Sequence, residues 1–136
     1  MNDRVFSERR ILLTDDIPIN IEIAKHYLQK YGFEVDCACD GKVALDLFEA
    51  SDPGTYSIII MDIRMPIMNG YEAARRIRTS NHSDALTIPI IALSADAMPH
   101  DVEKALACGM NAHIAKPFKC EHLLCTIRRL IKSTSP

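Results

Sequence analysis

At 136 residues the chain has room for one domain, because a second folded unit would leave neither with a proper core. Its composition, 48% hydrophobic and 25% charged, is that of an ordinary globular protein. A net charge of −2, from 16 basic and 18 acidic residues, excludes a global cationic field for nucleic acid or anionic lipid.

The most apolar run, Ile58 to Met61, is far short of the roughly 20 residues a membrane span needs. The polar segment Met1 to Arg10 carries no signal-peptide core, so a cytoplasmic location is expected. The expected partition is a tail at 1–8, one domain at 9–132 and a second tail at 133–136. Five cysteines, an odd number with no histidine placed to complete a zinc tetrahedron, read as free thiols.

In chain order, Ile11-Leu12-Leu13 opens as a short apolar strand. A helix follows, with Ile19, Ile23, Tyr27 and Ala24, Leu28, Tyr31 at four-residue spacing and Gly32 just past its end. Phe33 to Ala38 is the second strand, and Val43, Ala44, Leu47 and Phe48 mark a helix behind Asp40-Gly41. Ile58 to Met61 is the third strand, followed by a helix over Ala73, Ala74 and Ile77 with Asn69 as N-cap. Ile88 to Leu93 is the fourth, and Val102, Ala105 and Leu106 form a helix between Pro99 and Gly109. Ala112 to Ala115 is the fifth, before a last stripe of Leu123, Leu124, Ile127, Leu130 and Ile131. Five strand–helix alternations predict an α/β fold with a parallel sheet covered on both faces.

Open parallel sheets hold their ligand crevice at the carboxyl ends of the strands. The residues there are Asp15 and Asp16, Asp62, Ser94 and Lys116, while Asp40 after the second strand could be kept away by an edge position. Three converging carboxylates must protonate or find a cation. An all-oxygen set on short loops suits a hard divalent ion, Mg²⁺ or Mn²⁺. Open metal positions beside an ammonium and a hydroxyl match what a phosphoryl group requires. Asp62, alone at the end of the most buried strand, is the best candidate nucleophile, and Asp15 and Asp16 are better placed to hold metal. Each also has a plainer reading: Asp16 before Pro18 suits a helix cap, and Lys116 before Pro117 a surface residue leaving a strand.

The segments Ile11 to Asp16, Met61 to Gly70, Pro89 to Ala95 and Lys116-Pro117-Phe118 carry a resemblance. Over about residues 9 to 132 the chain resembles the receiver domain of two-component response regulators, with Asn69 where Asp is more usual. The resemblance implies a flavodoxin-like (βα)5 doubly wound sandwich with strand order 2-1-3-4-5. It implies that Asp62 takes a phosphoryl group from a phosphohistidine on a histidine kinase or phosphotransfer protein. Asp16 and Asp62 would bind Mg²⁺ directly, with the backbone carbonyl of Arg64, and Asp15 would act through coordinated water. Lys116 and Ser94 would hold the phosphoryl oxygens, and Lys116-Pro117 would be a cis peptide. The family's switch residue falls on His113, a departure from Tyr or Phe, with a half-exposed strand histidine as the plainer reading. Arg64 and Asp96 occupy positions that tune phosphoryl lifetime, and could pair across the mouth. His26, His82, His100 and His122 read as surface residues.

The run from Ser94 to Met98 and from Gly109 to Phe118 looks most like receivers fused to hybrid sensor histidine kinases. The expectation is therefore a phosphorelay module, stand-alone or the cytoplasmic part of a membrane-bound sensor, whose output is contact through the fourth helix, fifth strand and fifth helix. Its own chemistry would be self-phosphorylation and slow hydrolysis, not enzyme turnover in the usual sense. Two alternatives fit less well. A haloacid-dehalogenase-like phosphatase needs a second Asp two residues after its nucleophile, where Arg64 stands. A flavodoxin-like flavin binder needs a phosphate loop where Asp15-Asp16 would repel an anion.

Overall fold

The structure, a computed structural model, describes residues 9–95 and 98–134, the last three by backbone alone. The elements are β1 (Arg10–Thr14), α1 (Pro18–Lys30), β2 (Glu34–Ala38), α2 (Gly41–Ala50), β3 (Ile58–Asp62), α3 (Gly70–Thr79), β4 (Ile90–Ser94), α4 (Pro99–Ala107), β5 (Ala112–Ala115) and α5 (Cys120–Thr134). The five strands form one sheet in the order β2-β1-β3-β4-β5, every pair parallel. The expected order and class are therefore met. The helix α5 runs to Thr134, two residues into the segment expected as a tail, and residues 1–8 lie outside those described.

β3 and β4 are buried along their whole length, as continuous apolar runs require when helices cover both faces. On one face Leu12, Ile59, Met61, Ile90 and Ala92 pack against Ala44 and Phe48 of α2, Ala73 and Ile77 of α3, and Ala105 of α4. On the other, Ile11, Leu13, Ile58, Ile60, Ile91, Leu93 and Ile114 meet Ala24 and Leu28 of α1 and Leu123, Leu124, Ile127 and Ile131 of α5.

Helix ends follow local chemistry. The Asp40 and Asn69 side chains accept from the amides of Val43 and Glu72, both at 2.9 Å, capping α2 and α3. Gly109, at φ +96°, ends α4, with its amide donating to Leu106 and that of Met110 to Ala105.

Three expectations need correction. Of the two stripes on α1, the Ala24–Leu28 row meets the sheet, while Ile19 and Ile23 are 62% and 56% exposed. Leu106 likewise points outward on α4, where Ala105 is the buried residue. His82 is not a surface residue: its side chain is 5% exposed and stacks on Phe48 at 4.3 Å. Its Nε2 donates to the Ser51 carbonyl at 2.9 Å and its Nδ1 accepts from the Asp84 amide at 3.0 Å, so the ring ties two loops at the foot of the sheet. His26, His100 and His122 are exposed, as expected.

Candidate functional site

The sheet's strand order reverses between β1 and β3, and that switch point is where a crevice opens in such folds. Register places the site residues there together. Thr14 pairs with Met61, so Asp15 and Asp62 follow side by side; Ser94 pairs with Ala115, so Lys116 follows beside it. One oxygen from each of Asp15, Asp16 and Asp62 lies within 4.8 Å of the others. Asp15 and Asp62 are buried at 3% and 4% exposure, whereas Asp16 faces solvent. Asp40 stays with its cap and is not part of this group.

Lys116 spans the acidic pair: its Nζ lies 3.4 Å from Asp15 Oδ2 and 3.2 Å from Asp62 Oδ2. Its amide donates to the Ser94 carbonyl at 2.7 Å, and Lys116-Pro117 is cis, as expected. Asp15 Oδ1 accepts from the Ile17 amide at 2.9 Å, a local turn that leaves Oδ2 for Lys116. Burial pushes the Asp62 carboxyl above the ordinary carboxylate value; the Lys116 ammonium opposes that shift and the Asp15 and Asp16 charges add to it.

These donors fit a hard divalent cation. They are all oxygens and they converge, and among the described residues the ammonium of Lys116 pairs with two of the three carboxylates, leaving a local excess of negative charge. One carboxylate oxygen from each of Asp15, Asp16 and Asp62 is close enough to the others to share such an ion.

Ser94, 5% exposed, lies 3.2 Å from Nε2 of the half-buried His113 through its hydroxyl. Arg64 is exposed and lines a cavity of about 650 Å³ with Asp16, Asn69, Tyr71, Ser94 and Lys104. Asp96 lies outside the described residues, and with it the Arg64–Asp96 pairing. The loop from β3 to α3 is tight. Ile67 sits at φ +69°, the Met68 amide donates to the Pro66 carbonyl at 2.7 Å, and the Ile67 side chain is 83% exposed. A β-branched residue in such a γ-turn stores strain.

Sequence reasoning missed Tyr71 and Lys104. Lys104 Nζ sits 4.6 Å from the centre of the Tyr71 ring, across from Ser94 and Asp16 in the same cavity. Their 33-residue separation carries no local signal; only the adjacency of Tyr71 to Asn69-Gly70 hinted at the site.

A family model described as the response regulator receiver domain matches residues 11–128. The peroxide stress-activated histidine kinase mak1 of Schizosaccharomyces pombe is 35% identical over 126 residues, covering 92% of this chain and 8% of that protein. Histidine kinase 3 of Arabidopsis thaliana is 34% identical over 145 residues, covering 93% of this chain and 14% of its own length. The chain thus spans a small part of these curated relatives. Among solved structures, the receiver domain of sensor histidine kinase PA1611 from Pseudomonas aeruginosa superposes with a TM-score of 0.82 at 36% identity. That match covers 93% of this chain and 99% of that one, which has a magnesium ion coordinated in its active-site cleft. Chemotaxis protein CheY4 of Vibrio cholerae superposes with a TM-score of 0.83 at 31% identity, covering 91% and 99%.

Proposed function

The chain belongs to the response regulator receiver domain family, whose members are phosphoacceptors, and from that premise we propose that Asp62 takes the phosphoryl group from a phosphohistidine. The observation that carries this reading is the buried Asp62 carboxylate, held 3.2 Å from Lys116 inside the three-carboxylate cluster. An Asp62 oxygen bonds to phosphorus as the bond to the imidazole nitrogen breaks, and the electron pair of that bond returns to the ring. The protein supplies little covalent chemistry beyond this; positioning and charge neutralisation do the rest.

Asp16, Asp62 and the Arg64 carbonyl would hold Mg²⁺ or Mn²⁺, with Asp15 acting through water, and the ion would supply the positive charge that a dianionic phosphoryl group needs among carboxylates. Lys116 bridges Asp15 and Asp62 beforehand, so its ammonium already stands where phosphoryl oxygens would arrive. The Ser94 hydroxyl is the remaining donor. It is engaged with His113, so a phosphoryl group that draws Ser94 inward would release the imidazole and alter the β5 surface. That release would carry the signal to a partner through α4, β5 and α5.

The histidine kinase relatives support a donor that is a histidine kinase or phosphotransfer protein, on the same polypeptide or a separate one. No described helix is long and apolar enough to cross a membrane. A cytoplasmic setting is proposed on the strength of the histidine kinase relatives, whose phosphohistidine would be the donor.

Incubation with a phosphorylated histidine phosphotransfer protein tests the reading. Label should move to the parent in the presence of Mg²⁺ and should not move to Asp62→Asn or in excess chelator. Equal labelling of parent and Asp62→Asn would overturn Asp62 as acceptor. Equal partner binding by the parent and His113→Ala, with and without a phosphoryl mimic, would overturn the His113 role.

A further inference from the structure

We propose that Tyr71 and Lys104 form a gate on the α3–α4 side of the phosphoryl site, setting how readily water and small phosphodonors reach Asp62. The proposal rests on the receiver reading and adds two residues that reading does not use.

Tyr71 is fixed to the acceptor strand. A Cβ on the preceding Gly70 would stand 2.4 Å from the Asp62 carbonyl oxygen, so only glycine lets α3 start so close to β3. The Gly70 amide also donates to the Ile63 carbonyl at 2.9 Å. Tyr71 itself is 9% exposed, so its ring is a rigid part of the cavity wall.

α4 is tied down far less. Ala105 is its one buried residue, its N-cap Met98 makes no side-chain capping bond, and Met98 and Leu106 are exposed. α3 and α4 also meet in the core at Ala105 and through Arg75 Nη1, which donates to Cys108 Sγ at 3.3 Å, but Lys104 Nζ, 4.6 Å from the Tyr71 ring centre, is the contact that brings the two helices together at the cavity wall. Among the described residues no carboxylate pairs with Lys104, while the neighbouring His100 and Asp101 pair with each other at 3.3 Å. A cation over an aromatic face holds its place through the ring quadrupole, and Phe supplies that quadrupole as Tyr does.

The cavity of about 650 Å³ that these two residues help to line also reaches Asp16 and Ser94, making it a solvent approach to the acidic end from the α3–α4 side; another cavity reaches Asp15 and Lys116 from the side of Pro117. Water entering by that approach can hydrolyse an aspartyl phosphate. A water oxygen bonds to phosphorus as the bond to the Asp62 oxygen breaks; the electron pair returns to the carboxylate, and the water proton passes to the released phosphate. With the gate shut, α4 crowds the entering water; with it open, water and small donors enter more often.

The test uses the phosphorylated protein. The parent and variants are loaded with acetyl phosphate and Mg²⁺, the donor is removed, and loss of the phosphorylated intact mass is followed. Lys104→Met keeps the stem and removes the charge on an exposed residue, so the fold is not at risk. It should shorten the phosphoryl lifetime about two- to five-fold, the factor that about 0.5–1 kcal/mol of exposed cation–π contact represents. Tyr71→Leu should do the same, Tyr71→Phe and Lys104→Arg should keep the parent lifetime, and the double variant Tyr71→Leu/Lys104→Met should be no faster than either single one. Loading rates should rise with the same pattern. Parent-like lifetimes in Lys104→Met, a loss in Tyr71→Phe equal to that in Tyr71→Leu, or additive single effects would overturn the gate. Failure of the parent to load at all would overturn the receiver reading and the gate with it.

Discussion

Replacing Asp62 by Asn should stabilise the fold when no divalent ion is present. The Asp62 carboxylate oxygen lies within 4.8 Å of those of Asp15 and Asp16, and each repulsion is worth about 3.5 kcal/mol at an effective dielectric constant of about 20. The Lys116 ammonium at 3.2 Å returns about 5 kcal/mol on the same scale. Exposed Asp16 is screened by solvent, which reduces its share, but the burial of Asp62 adds a cost of its own. The upward displacement of the Asp62 carboxyl pKa fixes the sign of the balance: the charge is disfavoured in the folded chain. Asp62→Asn should therefore gain on the order of 1–2 kcal/mol, roughly 3–10 °C in melting temperature for a domain of this size.

The pH dependence has a definite direction. A carboxyl whose folded pKa is raised favours the folded state in its protonated form, so that contribution is present at low pH and lost as pH rises through the folded value. The advantage of Asp62→Asn should thus be small at or below the ordinary carboxylate pKa of about 3.9 and open as pH rises above it. Thermal melts of both proteins in chelator, from acid to neutral pH, read this out. Saturating Mg²⁺ should reverse the order, since a ligand at 100 times its dissociation constant adds about 2.7 kcal/mol to the protein that binds it. An Asn variant less stable than the parent in chelator at neutral pH, or a gap independent of pH, would refute the electrostatic account of the site.

Three further substitutions probe the frame around it. Thr14, directly before the acidic pair, has a buried hydroxyl without a hydrogen-bond partner among the described residues; Thr14→Val should raise stability by about 1 kcal/mol in urea titration. Gly70→Ala should cost about 1–3 kcal/mol and slow phosphoryl loading, because its methyl group meets the Asp62 carbonyl; parent-like loading would show that α3 can shift freely. Arg78 is half-buried, and its guanidinium donates to the carbonyls of Gly109 and Ala85 and to Asn111 Oδ1. Arg78→Met should cost about 2–3 kcal/mol by equilibrium unfolding, with the two carbonyls left short of a donor.

The acidic cluster was legible because its logic is local to the chain. A carboxylate one residue past an apolar strand lands at the carboxyl edge whatever the helices do, and register then sets Asp15 beside Asp62. Asn69 was legible for the same reason, since its amide oxygen caps α3 from a position fixed by the next three residues. Features that depend on which faces meet were not. Both stripes of α1 have helical spacing, and only docking on the sheet chooses Ala24 and Leu28 over Ile19 and Ile23. His82 is buried by Phe48 and Ser51, more than 30 residues upstream, in a polar stretch that suggested solvent. Lys104 reaches Tyr71 across an equally silent distance, so the cavity wall could not be read although the cavity floor could.

The central claim is that Asp62 is the acceptor, and site mapping of the phosphorylated chain tests it most directly. The protein is loaded with acetyl phosphate and Mg²⁺, reduced with borohydride to convert an acyl phosphate to a stable alcohol, digested and sequenced by mass spectrometry. The account predicts one modified residue, Asp62, with no modification in chelator and none in Asp62→Asn. A modification at Asp15, at Asp16 or at a histidine, or an adduct that persists in Asp62→Asn, would contradict it.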